Sequence, residues 1–201
     1  MKKTLISLVL CLAVTGFVTI APAQQTHPTA QRTQPPSDVR KQTTLGKYAT
    51  AFEAYLTFRT SGDKIYFLDV RTPEEYVYVG HATFAPNIPS MVWSGKFNPA
   101  TKEYELAENP AFENAVKSRF KPEDTIMVMS RSGDRSAAAV NRLAKVGFKN
   151  AVNIIDGFEG DKVTDQESYS KGKRVKNGWK NANLPWTYDL DPNLVYAPAE
   201  K

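Results

Sequence analysis

The first strong pattern along the chain is an uncharged apolar run, Leu5 to Ile20, behind Lys2 and Lys3. Ala21-Pro22-Ala23 follows, a small-x-small cleavage pattern, and then polar Gln24. A charged start, an apolar stretch short for a bilayer span and a small-residue exit predict a secretory signal peptide over 1–23. Residues 24–43 are polar and rich in Gln, Thr and Pro. Such a segment has little apolar surface to bury and is expected to be a disordered leader.

From there the pattern becomes periodic. Tyr48, Ala51, Phe52, Tyr55 and Leu56 recur at spacings of three and four, which predicts a helix over 46–59 closed by a turn at Ser61-Gly62-Asp63. The stretch "KIYFLDV" is short, apolar and rich in β-formers, so Ile65–Val70 is expected to be a buried strand. Thr72-Pro73-Glu74-Glu75 carries a capping-box start and predicts a helix from Pro73. "ATFAPNIP" is expected to form a turn with a short extended piece, and residues 90–108 show no regular period.

Asn109-Pro110 opens a further helical pattern with Phe112, Ala115, Val116 and Phe120 on one side. "TIMVM" (125–129) predicts a second buried strand, and Ser136 to Val146 a helix with Ala137, Val140, Leu143 and Ala144 as its apolar stripe. Gly147 suits the left-handed position that ends it. "NAVNIID" is a third strand, with a turn beginning at Gly157. Strands alternating with helices imply an α/β fold around a parallel sheet. Ligands in such folds bind beyond the carboxyl ends of the strands, where the loop after Met129 lies. The tail from 161 to 201 is less regular. Its Trp179, Leu184, Trp186, Leu190 and Tyr196 predict that it wraps over the domain surface.

Composition narrows the chemistry. The chain has 41% hydrophobic and 23% charged residues, an ordinary globular balance. Signal cleavage removes Lys2 and Lys3 and no acids, so the formal charge falls from +5 by those two lysines to +3. That mild excess does not call for nucleic acid. The one cysteine is Cys11, inside the signal segment, and the two histidines are His27 and His81. A mature chain without thiols can form no disulfide, thiolate metal site or cysteine nucleophile, and no metal or cofactor is expected.

The candidate site is Ser130-Arg131-Ser132-Gly133-Asp134-Arg135-Ser136, between a strand end and a helix start. Free amides and the helix dipole favour an anion there. Gly133 permits backbone angles closed to other residues, and Arg131 and Arg135 supply forked cationic donors. Asp134 is expected to point outward, since its charge would repel an anion. A plainer reading is a strand-to-helix turn with Ser136 as cap and solvated arginines. Asp69 and Arg71 are expected to support the loop structurally. Lys171, Lys173, Arg174, Lys176 and Lys180 form either a solvated face or a basic rim that steers anions.

Three motifs in order resemble the rhodanese-like domain family. SRSGDRS (130–136) is similar to the family's loop Cys-Arg-Ser-Gly-x-Arg-Ser, except at its first position. "LDVRTPEEY" (68–76), followed by Gly80-His81 through Asn87-Ile88-Pro89, resembles the family's early segment, and "LAKVGFKNAVNIIDGFEG" (143–160) its late one.

The resemblance implies a rhodanese-like domain over 44–160 with a central five-stranded parallel sheet flanked by helices, and an extension over 161–201. It also implies an ancestral activity in which the loop cysteine takes sulfane sulfur from thiosulfate or a related donor as a persulfide. Ser130 stands at that cysteine's position. A hydroxyl is far less acidic than a thiol and cannot store sulfur as a sulfur–sulfur bond.

The expectation is therefore an exported, periplasmic or secreted protein, disarmed for persulfide transfer. It would bind a small oxyanion (thiosulfate, sulfite, sulfate or phosphate), another sulfur compound or an exported partner protein. The alternative is an enzyme: a sulfurtransferase, if the serine is a substitution or another mechanism operates, or a site that uses Ser130 as an acyl or phosphoryl acceptor or polarises a substrate without a covalent step.

Overall fold

The computed structural model describes residues 34–61 and 65–197. The expected signal peptide, Cys11, residues 24–33 of the leader and the Gly62-Asp63 turn lie outside the described residues. In chain order the elements are β1 (Tyr48–Ala49), α1 (Ala51–Ser61), β2 (Ile65–Asp69), α2 (Pro73–Val79), β3 (His81–Ala82), β4 (Met91–Asn98), β5 (Glu103–Glu108), α3 (Phe112–Arg119), β6 (Thr125–Met129), α4 (Asp134–Lys145), β7 (Ala151–Ile154) and β8 (Trp186–Thr187).

The central sheet is parallel, in the order β1-β7-β6-β2. Its registers pair Asp69 with Met129 and Val128 with Asn153, so the carboxyl ends of β2, β6 and β7 meet at one edge. Side chains alternate across it. On β6, Met127 and Met129 join a cluster with Phe67, Ile154, Phe158 and Trp179, while Ile126 and Val128 join one with Phe112, Val116, Val140 and Leu143. Both faces are covered, which is why "TIMVM" reads as a continuous apolar run.

Four strands stand where the family resemblance implied five. Residues 86–90 do run beside β2: the Asp69 amide donates to Pro86 O, and the amides of Ile88 and Ser90 donate to Asp69 O and Val70 O. Only Asn87 forms a bridge, with Asp69. Pro86 has no N–H to offer β2 at one end, and at the other the Arg71 amide is given to the Asp69 carboxylate, so the ladder does not extend into a strand.

The helix expected over 46–59 begins at Ala51, because Tyr48 and Ala49 pair with Asn153 and Ile154 as β1. Its inner face is set by small residues: Ala51 and Ala54 are buried, while Phe52 and Leu56, placed on the apolar face by spacing, are more than half exposed. The capping box of α2 forms as read. The Glu75 amide donates to the Thr72 hydroxyl and the Thr72 amide to the Glu75 carboxylate.

Helix α4 begins at Asp134, two residues before the expected start, and Gly147 takes a φ of 106°. Residues 91–108, expected to be irregular, form an antiparallel hairpin of β4 and β5, with Trp93 stacked on Tyr104.

Both ends of the chain contribute more than a leader and a wrap. Residues 39–41 form a 3-10 turn capped by the Asp38 carboxylate. Buried Lys41 reaches Asp161 at 2.6 Å, so the expectation of disorder through residue 43 does not hold here. In the tail, Trp179 is fully buried and meets Tyr55, Phe67 and Phe84 edge-on. Strand β8 pairs antiparallel with β3. The extension thus completes one of the two cores rather than covering a finished one. Among the described residues no helix is long and apolar enough to cross a membrane.

Candidate functional site

The loop from Ser130 leaves β6 at the shared carboxyl edge and enters α4 at Asp134. It is clamped from behind by the turn after β7. Ser130 O accepts from the Phe158 amide, and Arg131 O from the amides of Glu159 and Gly160. The approach is backbone against backbone. A Cβ on Gly133 (φ 98°) would stand 2.2 Å from Ile155 O, and one on Gly157 would stand 2.4 Å from Ser130 O. Glycine is required at both positions by space as well as by angle. With its carbonyls turned to the 155–160 segment, the loop leaves the amides of Arg131 and Ser132 without an acceptor among the described residues.

Ser130 is fully buried. Its Oγ accepts from the Gly133 amide at 3.2 Å and lies 3.1 Å from Ser136 Oγ. Ser136 Oγ lies 2.6 Å from Asn153 Oδ1 and must donate to it. Asn153 Nδ2 donates to Lys41 O and Gly133 O, which fixes that amide's orientation. Because the Ser136 proton is spent on Asn153, Ser130 donates to Ser136. The order Gly133 N–H, Ser130, Ser136, Asn153 is therefore closed, with every proton assigned. His81 cannot act on it as a base: its ring stacks on Tyr76 at 3.9 Å and its Nδ1 lies 3.2 Å from Tyr76 O.

The two arginines of the loop part company. Arg135 turns inward and forms a bidentate pair with Glu75 at 2.6 and 2.7 Å. Burial alone would raise the Glu75 carboxyl, but the hydrogen bonds and charge of Arg135 overcome it and hold the pKa at about 2. Arg135 is thus not free for an anion, contrary to the sequence reading. Arg131 turns outward. Its guanidinium has no hydrogen-bond partner among the described residues, and its Nε is enclosed.

Asp69 and Arg71 form a second inward pair, at 2.6 Å and with no exposure on either side chain. Arg71 also donates to Gly80 O and lies 4.1 Å over the Phe158 ring. This pair ties the end of β2 to Phe158, whose amide donates to Ser130 O.

Sequence comparison bears on the same residues. Residues 53–162 match the family model described as the Rhodanese-like domain. The chain belongs to the rhodanese-like domain family. An uncharacterized protein of Rickettsia conorii is 33% identical over 130 residues, 64% of this chain and 87% of that protein. A protein of Arabidopsis thaliana named thiosulfate sulfurtransferase 18 is 33% identical over 94 residues, 46% of this chain and 62% of that protein. The crystal structure of Rv0390 from M. tuberculosis superposes with a TM-score of 0.55 at 24% identity, over 71% of this chain and 99% of that one, and shares the fold.

In this rhodanese-like domain the open space lies beside the loop and not at its centre. A cavity of about 690 Å³ is walled by Arg131, Ser132 and Asp134 of the loop, by residues 36–38, 40 and 41 ahead of the family segment and by Arg174, Lys176 and Asn177 beyond it. Ser130, Arg135 and Ser136 are not in its wall. Asp134, expected to point away, is one of its lining residues. Of the basic cluster in the tail, Arg174 and Lys176 reach this cavity. Lys180 instead donates to Val79 O and lies 4.1 Å over the Trp186 ring.

Asn153 and Glu75 were the functional residues the pattern reading passed over. A signal existed for each. Asn153 is the one polar side chain inside the buried strand β7, and such a group needs partners. Glu75 had already been placed by its capping box, one turn into a helix at the edge that carries the loop.

Proposed function

We propose that the protein is an exported rhodanese-like domain disarmed for persulfide transfer, which binds a small oxyanion or sulfur compound or an exported partner protein. The observation that carries this reading is the state of Ser130. Its hydroxyl is buried, accepts from Gly133 and donates to Ser136, with no base in contact. A serine nucleophile needs a neighbouring base to take its proton, and this proton is held in a chain that ends on an amide oxygen. Even an alkoxide would lack the sulfur atom on which a persulfide is stored. What the loop retains is its amides, the N-terminus of α4 and Arg131, all suited to an anion.

Export accounts for the chain's one cysteine, Cys11, as part of a segment that is removed. N-terminal sequencing of the secreted protein is expected to begin at Gln24.

A thiosulfate:cyanide sulfurtransferase assay tests the central claim. The wild type is expected to show no turnover above the uncatalysed rate, and Ser130→Cys to gain it. Turnover by the wild type would overturn the reading. The second reading, a working sulfurtransferase, draws on the 33% identity to thiosulfate sulfurtransferase 18. It requires either a cysteine at position 130 in the source gene or a mechanism without a persulfide, and gene sequencing with the same assay separates the two.

A further inference from the structure

We infer that the cavity between the loop and the C-terminal extension is a binding site for a small tetrahedral oxyanion, gripped by Arg131 from the loop and Arg174 from the extension. The inference rests on reading the loop as an anion-binding element, and it moves the anion from the loop's buried centre to its outer side.

The centre is occupied by the molecule itself. The Gly133 amide, which an anion inside the loop would need, is already given to Ser130 Oγ. Arg135, the cation nearest in sequence to the helix start, is given to Glu75.

The outer side is the reverse. Arg131 has no hydrogen-bond partner among the described residues. Among the described residues Arg174 spends only one bond, from Nη1 to Gly160 O at 2.6 Å, and joins no ion pair. One residue connects the two: the Gly160 amide donates to Arg131 O, while the Gly160 carbonyl accepts from Arg174. That segment cannot drift. A Cβ on Gly160 would lie 1.9 Å from Asn177 O, so loop, turn and extension are packed backbone to backbone.

The wall's charges leave the same imbalance. Asp38 is paired with Arg40 and Asp161 with Lys41. Asp156 accepts from the amides of Ala51 and Gly178. Asp134 is then the one lining carboxylate without a partner among the described residues, in a wall that also holds Arg131, Lys162, Arg174 and Lys176. Burial, and then the like charge of Arg131, pull the Arg174 pKa below its ordinary value, against the opposing charges of Glu159, Asp134 and Asp161. Guanidinium forks match a tetrahedral oxyanion in shape and charge. Most of the wall lies outside residues 53–162, so the site belongs to this chain's two extensions as much as to the family loop.

Calorimetric titration of the intact protein with sulfate, thiosulfate and phosphate tests the site. Arg131→Met and Arg174→Met, each checked for a native circular dichroism spectrum, are expected to weaken binding about tenfold or more. Asp134→Asn is expected to tighten it. Loss in Arg131→Met with no change in Arg174→Met would place the anion on the loop alone and overturn the inference. Absence of saturable binding by all three anions to the folded wild type would overturn it too. Neither result touches the disarmed state of Ser130, which the sulfurtransferase assay decides independently.

Discussion

The inner and outer sides of one short loop have opposite fates. On the inner side, Ser130, Arg135 and Ser136 are buried or paired, and each polar atom that matters has a partner inside the fold. On the outer side, Arg131, Ser132 and Asp134 face a cavity, and the guanidinium of Arg131 has no protein partner among the described residues. The two arginines are four positions apart in the same motif. What separates them is what packs opposite. Glu75 meets the inner one; the outer one meets a space bounded by leader and tail. A cation in an anion-binding motif is therefore available only if the fold leaves it without a carboxylate.

The largest test of this division is aimed at the backbone clamp that creates it. Gly133→Ala would place a methyl 2.2 Å from Ile155 O at a φ of 98°. Neither side can yield without breaking the loop's bonds to the 155–160 segment. A loss of about 4 kcal/mol or more is expected in urea unfolding. Wild-type stability would mean that the loop is not held from behind and that its two sides can exchange.

Next in size is Trp179→Ala. The outer side depends on an extension anchored by this side chain, which is fully buried among three aromatic rings and donates Nε1–H to Pro185 O at 3.0 Å. A loss of about 3–5 kcal/mol is expected by the same measurement. A much smaller loss would show the extension to be an attachment rather than part of the core.

Glu75→Gln breaks the inner side directly. It leaves the guanidinium of Arg135 largely buried without a counter-charge, at a cost of about 3 kcal/mol. The pH dependence has a definite sign. The Glu75 carboxyl is held at about 2, below its ordinary 4.5, so its stabilisation is complete above the ordinary value and is lost as pH falls toward 2. Unfolding followed across pH 5 to 2 is expected to show a wild-type decline that Glu75→Gln flattens. An equally steep decline in the variant would assign it to other carboxylates.

Much of this division was legible in the sequence, and the exceptions share a cause. The capping box at Thr72–Glu75 and the apolar run at 125–129 were readable because local spacing decides them. The inner face of α1 was not: Phe52 and Leu56 have the same spacing as a buried stripe, but the face that meets the core carries Ala51 and Ala54, with Tyr55 and Phe58 at its margin. The hairpin over 91–108 was hidden because its aromatic contacts run across strands while the strands stay largely exposed, so no buried alternation marks them. The fifth strand failed on Pro86, visible in advance, and on the loss of the Arg71 amide to the Asp69 carboxylate, which was not. Nothing in SRSGDRS tells Arg131 from Arg135. What separates them, Glu75 beside Arg135 and Gly160, whose backbone links the Arg131 carbonyl to Arg174, comes from elsewhere in the chain and meets the loop only in the fold.

The smallest effect is the most discriminating for function. Ser130→Ala removes one hydroxyl from the chain Gly133–Ser130–Ser136–Asn153. The Gly133 amide loses its acceptor and Ser136 Oγ loses a donor, while Ser136 keeps its own bond to Asn153. One buried amide is left unsatisfied, which costs about 1–2 kcal/mol, well below the three substitutions above. If the hydroxyl anchored a ligand, this variant would abolish oxyanion binding. If the inner side is committed to the fold and the outer side to the ligand, sulfate and phosphate affinity stays at the wild-type level while stability falls. Calorimetry and urea unfolding on the same variant give the two answers together. A drop in affinity without a drop in stability would return the site to the loop's centre.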